Sequence, residues 1–187
     1  MSNASMSATA NISPLLFITF HQLYGISYTL LGLLVLVNFC TQLIVDLVFS
    51  FYSHKFDISK TIRVMPVLTI IGLVIYSLMP ALFPGFTYTF LLIGTIIFSA
   101  SAGLAEVLTS PVIAALPSDN PERDMSRAHS VYAWGVTAVV LLSTLYLQVF
   151  GRETWYILAL MWAIIPLIAF ILFMSSDIPE LETPKST

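Results

Sequence analysis

The stretch "SASAGLAEVLTSPVIAAL", residues 99–116, decides how the chain is read. It is small or apolar almost throughout and belongs to a longer apolar run, yet Glu106 stands in its middle, with Pro111 five residues on. An acid there is cheap in water and costly in hydrocarbon, so the solvent must be settled first. Of 187 residues, 58% are hydrophobic and 9% charged, where soluble domains carry about 25% charged residues. The mean hydropathy is +0.93. A globule of this size cannot hide so much apolar surface in its own core. The composition therefore predicts an all-α integral membrane protein with helical spans of about 20 residues.

Outward from that stretch, the apolar runs are 28–51, 63–83, 86–116, 128–150 and 155–174. The run 86–116 exceeds what a bilayer needs, so it is expected to tilt or protrude. Before them lies 12–24, short for a span. The preceding "MSNASMSATA" is small and polar and has no basic n-region, which argues against a signal peptide. Residues 1–24 then read as the second part of a first helix whose beginning is missing. Residues 179–187 read as a tail or linker.

Lys55, Lys60 and Arg63 follow the run 28–51, Arg123 and Arg127 follow 86–116, and Lys185 lies in the tail. By parity these share one side, and Arg152 alone faces the other. The positive-inside rule makes loops 52–62 and 117–127 and the C-terminus cytoplasmic, in a multi-pass protein of the cell membrane. Aromatic residues at the opposite ends (Tyr24 and Tyr28, Phe83 and Phe86, Phe150 and Trp155) fit an interfacial belt. With loops this short, whatever the protein does it does within the lipid bilayer.

Motifs for chemistry are missing: no phosphate loop, no H-E-x-x-H, no C-x-x-C, no G-x-S-x-G. His21, His54 and His129 lie in different segments and form no local ligand pair. The expectation is a non-enzyme without cofactor, metal or nucleic-acid partner. Cys40 lies within a span and reads as a small apolar filler.

The polar residues inside the spans carry the information. Asn38, Gln42 and Asp46 are spaced by four and share one helix face; Thr95, Ser99, Gly103, Glu106 and Ser110 form a second stripe. Such stripes turn from lipid toward neighbouring helices or a wet cavity. Two readings stand for each. Asn38 and Gln42 either bond across helices or face solute. Asp46, near the end of its span, either links to the basic loop or takes part in transport. Glu106, with no basic residue within four positions, either handles protons or substrate or is a packing link. Ser13-Pro14 and Ser110-Pro111 place matching proline breaks in the first and fourth spans, which suggests two three-helix units related by inversion, or proline kinks with no repeat behind them.

The stretches "NISPLLFITF", "LGLLVLVNFCTQLIVDL", "AGLAEVLTSPVIAALPSDN" and "MSRAHSVYAWG" resemble the N-terminal half of a major facilitator superfamily transporter, and bacterial relatives of fucose-type sugar permeases in particular. The resemblance implies a six-helix half of a twelve-helix fold, a small solute bound between halves near mid-membrane, and alternating access driven by an ion gradient. It implies that Glu106 is similar in placement to a fourth-helix acid that couples solute to protons. Asn11, Asn38, Gln42 and His129 resemble other cavity-side positions, and Tyr132 and Trp134 fall in the same region. Two departures stand out. The family's loop pattern G-x-x-x-D-R-x-G-R-[RK] is met by "SFYSHKFDISK", with Ser50 and Asp57 at the glycines, His54 at the acid and Lys55 at the base; Lys60 is nearby. The second half is absent, which implies a half-length fragment or pairing with a second chain. An oligomeric six-helix channel and a non-transporting scaffold remain as alternatives.

Overall fold

In a computed structural model, residues 2–115 and 119–175 are described, and every regular element among them is helical. The elements are α1 (Ser2–Leu15), α2 (Phe17–Tyr24), α3 (Tyr28–Tyr52), α4 (Ile58–Leu82), α5 (Thr87–Ala115), α6 (Pro121–Phe150), α7 (Trp155–Trp162) and α8 (Ile164–Ser175). Five helical segments are long and apolar enough to cross a membrane, from α3 to the α7–α8 pair. The expected tail at 179–187 and residues 116–118 of the loop lie outside the described residues.

The first span is helical well before its apolar run begins: helix starts at Ser2 rather than at residue 12, and α1 and α2 together run to Tyr24, within the residues 1–24 read as part of a first helix. At 1.5 Å per residue that is about 34 Å, enough to cross the hydrocarbon core. Small residues from position 7 on form a packing surface. Ser7, Ala8, Thr9 and Ser13 are buried, because small side chains let helices approach closely and their hydroxyls can bond helix carbonyls. Thr9 Oγ1 donates to the Met6 carbonyl at 3.1 Å in this way.

The proline breaks also differ from expectation. The first span breaks at Leu16 (φ −91°, ψ 2°), two residues after Pro14, and the Leu16 N–H is shared between the carbonyls of Ile12 (3.1 Å) and Ser13 (3.2 Å). The fourth span, by contrast, runs unbroken through Pro111, so the two prolines are not a matched pair of breaks. The second break falls in the sixth span at Ala163, where the Pro166 ring crowds the carbonyl four residues back.

The inverted arrangement rests instead on helix pairing. The first span packs on the fifth, the second on the fourth, and the third on the sixth. Exchanging the first three helices for the last three, in order, converts the first pairing into the second and leaves the third unchanged. Those three pairings are the ones that two three-helix units related by inversion share, whereas the extensive packing of the third span on the fourth has only a slight counterpart between the sixth and the first.

The tightest seam joins α4 to α5. A Cβ built on Gly72 would meet the Phe98 backbone nitrogen at 2.7 Å, and one on Gly94 would meet Tyr76 Cβ at 2.7 Å. Gly103 brings α5 equally close to α3, with the Gln42 carbonyl 2.9 Å from a Cβ there. Around the seam, Phe20, Tyr76, Phe98 and Trp155 form an edge-to-face aromatic cluster. Its polar tips are paired: Tyr76 OH with Ser13 Oγ at 3.1 Å, and Trp155 Nε1 donating to Tyr24 OH at 3.1 Å. Gly94→Ala is therefore expected to destabilise the protein by about 1–3 kcal/mol through overpacking. Gly32→Ala, where nothing lies within 4 Å, is expected to be neutral or mildly stabilising. Melting of the two variants in detergent checks this, and equal effects would contradict the seam.

Candidate transport face

The two stripes read from the sequence meet at the α3–α5 seam. Asn38 is buried, and its Oδ1 accepts from Gln42 Nε2 at 3.0 Å and from Ser99 Oγ across the seam. Asn38 is thus a helix-to-helix bond, and Gln42 is half-buried beside it. Thr95, one turn from Ser99, is fully buried and its hydroxyl has no partner among the described residues. A second polar link ties α4 to α5: Thr69 Oγ1 donates to Ser101 Oγ at 2.8 Å, and Ser101 Oγ donates to the Met65 carbonyl at 2.6 Å. Beside it, Met6, Thr9, Met65, Pro66, Thr69 and Ser101 line a cavity of 10 Å³. That is room for about one water, far below the ~300 Å³ of a small-molecule pocket.

Glu106 behaves differently from its stripe. Its side chain is exposed, and it joins no ion pair among the described residues. It lies five residues beyond the middle of α5, about 7–8 Å along the axis, well inside a hydrocarbon core of about 30 Å. Gly103, the preceding turn, touches Gln42 and Val45, and Ala105 and Leu108 pack with Phe49. That register sets Asp46, half-buried, at the same depth on α3. Asp46 likewise makes no ion pair with the basic loop among the described residues.

The exposed faces of the bundle are of two kinds. The sixth span shows only apolar side chains outward from Ile157 to Met174, among them Met161, Ile164, Leu167, Ile168 and Ile171. The fifth span shows Ser130, Thr137 and Thr144 at steps of seven, then Gln148, all exposed, in a line flanked by equally exposed Trp134, Leu141, Leu145 and Val149. Buried Val139 and Ser143 lie on the opposite side of α6. Sequence reading missed this stripe, though its seven-residue repeat was available. His129 is exposed on the flank of the same face, Tyr132 is half-buried and Trp134 is 75% exposed. On the first span, Asn11 is half-buried with Nδ2 donating to the Ser7 carbonyl at 2.9 Å, and Pro14, Ile18 and Gln22 are exposed. Pro111 is exposed on α5; the side chain of Ser110, beside it, lies outside the described residues.

The loop candidates are local. Lys55 lies over the Tyr52 ring at 4.9 Å. Asp57, at the position of the second glycine in the loop pattern, caps α4 with a negative φ of −76° and accepts from the Lys60 N–H at 3.1 Å. The Lys60 backbone N–H and then its ammonium, 3.0 Å away, hold the Asp57 carboxyl below the usual carboxylate range. A glycine is not needed where φ is negative and a side-chain cap is available.

These helices, their inverted pairing and a polar outer face define a multi-pass membrane protein of transporter type. The chain matches the Major Facilitator Superfamily over residues 1–187, and it belongs to that family. No curated protein and no solved structure matches it.

A double-mutant cycle over Asn38→Ala and Ser99→Ala tests the seam. A coupling energy of about 0.6 kcal/mol, and up to about 1.7, is expected for a hydrogen bond between spans. Strict additivity would contradict the bond.

Proposed function

We propose that the protein is a secondary transporter of a small solute, of the fucose-type sugar or related metabolite class, working by proton-coupled alternating access. One observation carries the reading: Glu106 stands at membrane depth on a face left uncovered by the described residues, with no ion-pair partner among them. An acid there costs several kcal/mol against lipid, so it belongs against water, solute or a facing helix unit. The polar stripe of α6 and exposed Pro14 on the first span support the same assignment of faces. A second six-helix unit, in the same or another polypeptide, completes the cavity, with Gln42 and His129 as solute contacts and Asp46, Lys55 and Lys60 at the gate.

In the complete two-unit transporter, Glu106→Gln keeps the shape and mimics the protonated acid. It is expected to abolish uptake against a concentration gradient driven by an imposed pH difference, while counterflow of labelled solute persists. Normal accumulation by the variant would reject the proton role.

We further assign the basic loops to the cytoplasm, on the positive-inside rule. With Cys40 replaced, cysteines at 57 and 122 are expected to resist an impermeant thiol reagent in intact cells, and one at 153 to react. Labelling at 57 from outside would reverse the orientation.

A further inference from the structure

We propose that Arg63 holds the phosphate of an anionic lipid headgroup where α4 enters the membrane. Arg63 is the sixth residue of α4, about 8 Å from its start. Its Nε is buried and has no hydrogen-bond partner among the described residues. A guanidinium keeps its charge at any working pH and has five donors and no acceptor. Leaving it unpaired at a membrane boundary is costly, so an acceptor from outside the bundle is called for.

The neighbouring charges point the same way. Lys60, one turn nearer the loop, is held by Asp57 at 3.0 Å, and Arg127 is held by Asp124 at 3.5 Å. Lys55 lies on the Tyr52 ring. Neither ion pair among the described residues includes Arg63. Arg63 as a whole is half-buried, so part of its side chain is open to an anion from outside the bundle. A phosphate there matches the planar fork with two parallel hydrogen bonds and neutralises the delocalised cation, Nε included.

The setting favours a lipid over a free ion. Arg63 lies between buried Ile62 and exposed Val64, and Ile71, seven residues on, is exposed on the same face as Val64. Those side chains offer an acyl chain an apolar track running inward from the headgroup. The competing acceptor is the chain's own acidic tail. Asp177, Glu180 and Glu182 lie outside the described residues, but α8 packs against α4, and Phe173 packs against the cluster holding Ile62 and Met65.

The test uses the full chain in a neutral detergent, titrated with phosphatidylglycerol, phosphatidylcholine or inorganic phosphate, with melting temperature and lipid retained in native mass spectrometry as readouts. Phosphatidylglycerol is expected to raise the melting temperature and to be retained, and the other two are not. Arg63→Gln is expected to weaken that response by roughly tenfold or more, from loss of charge-assisted hydrogen bonds. Arg63→Lys, which keeps the charge but not the fork, is expected to fall between. Arg127→Gln is expected to respond like the parent, which separates a site from general surface charge. An undiminished response in Arg63→Gln would overturn the site, and equal stabilisation by inorganic phosphate would overturn the lipid assignment. If Asp177→Asn, Glu180→Gln and Glu182→Gln together abolish the difference between parent and Arg63→Gln, the tail is the acceptor and the proposal fails.

Discussion

The close approach of the α5 backbone to two neighbours is the constraint on which the bundle depends. Gly94 and Gly72 let α5 and α4 touch backbone to side-chain root, and Gly103 does the same toward α3. Helices in lipid gain no hydrophobic advantage from association, so van der Waals contact and a few hydrogen bonds must hold them. At the two α5 seams both are present. Ser99 meets Asn38 on one side, and Ser101 meets Thr69 and the Met65 carbonyl on the other. The polar atoms at these seams are thereby satisfied inside the bundle, except the Thr95 hydroxyl.

With α5 wedged in this way, the remaining helices sort by what they show outward. The third and sixth spans present apolar side chains, as lipid requires. The fifth presents Ser130, Thr137, Thr144 and Gln148, and the fourth presents Glu106 at membrane depth. The Ser130 and Thr137 hydroxyls bond carbonyls of their own helix, so the cost against hydrocarbon falls chiefly on Glu106 and Gln148, which are inexpensive against water or another helix unit. The two-sided character is what a six-helix unit facing a partner unit across an aqueous cavity needs, and it follows from packing before any appeal to family. Membership of the major facilitator superfamily supplies the general activity, transport across a membrane.

Much of the fold was legible in the sequence, because apolar run length and loop charge report directly on the bilayer. The helical start at Ser2 is not marked by an apolar run, because Ser7 and Thr9 look polar in sequence, while in the bundle small hydroxyl residues are contact residues. Pro111 suggested a break, yet α5 runs through it, and the break near Pro166 carried no signal that set it apart from Pro66 or Pro80. Of the candidate site, the Asn38–Ser99 contact follows from two stripes spaced by three and four. That Asn38 would be buried and Glu106 exposed was not legible. Both belong to polar stripes, and only the three-dimensional register of α3 on α5 separates them. The α6 stripe escaped notice because its members are three single hydroxyls and one amide among apolar neighbours.

The central claim is that the α6 stripe and Glu106 face something other than lipid. Nitroxide labels at Ser130, Thr137 and Thr144, compared with labels at Leu167 and Ile171, test it in the membrane-embedded protein through collision with oxygen, which partitions into hydrocarbon, and with a water-soluble nickel chelate. The account predicts high oxygen and low nickel accessibility at Leu167 and Ile171, and low oxygen accessibility at the three α6 positions. Oxygen accessibility on α6 equal to that on α8 would place the stripe in lipid and contradict the account.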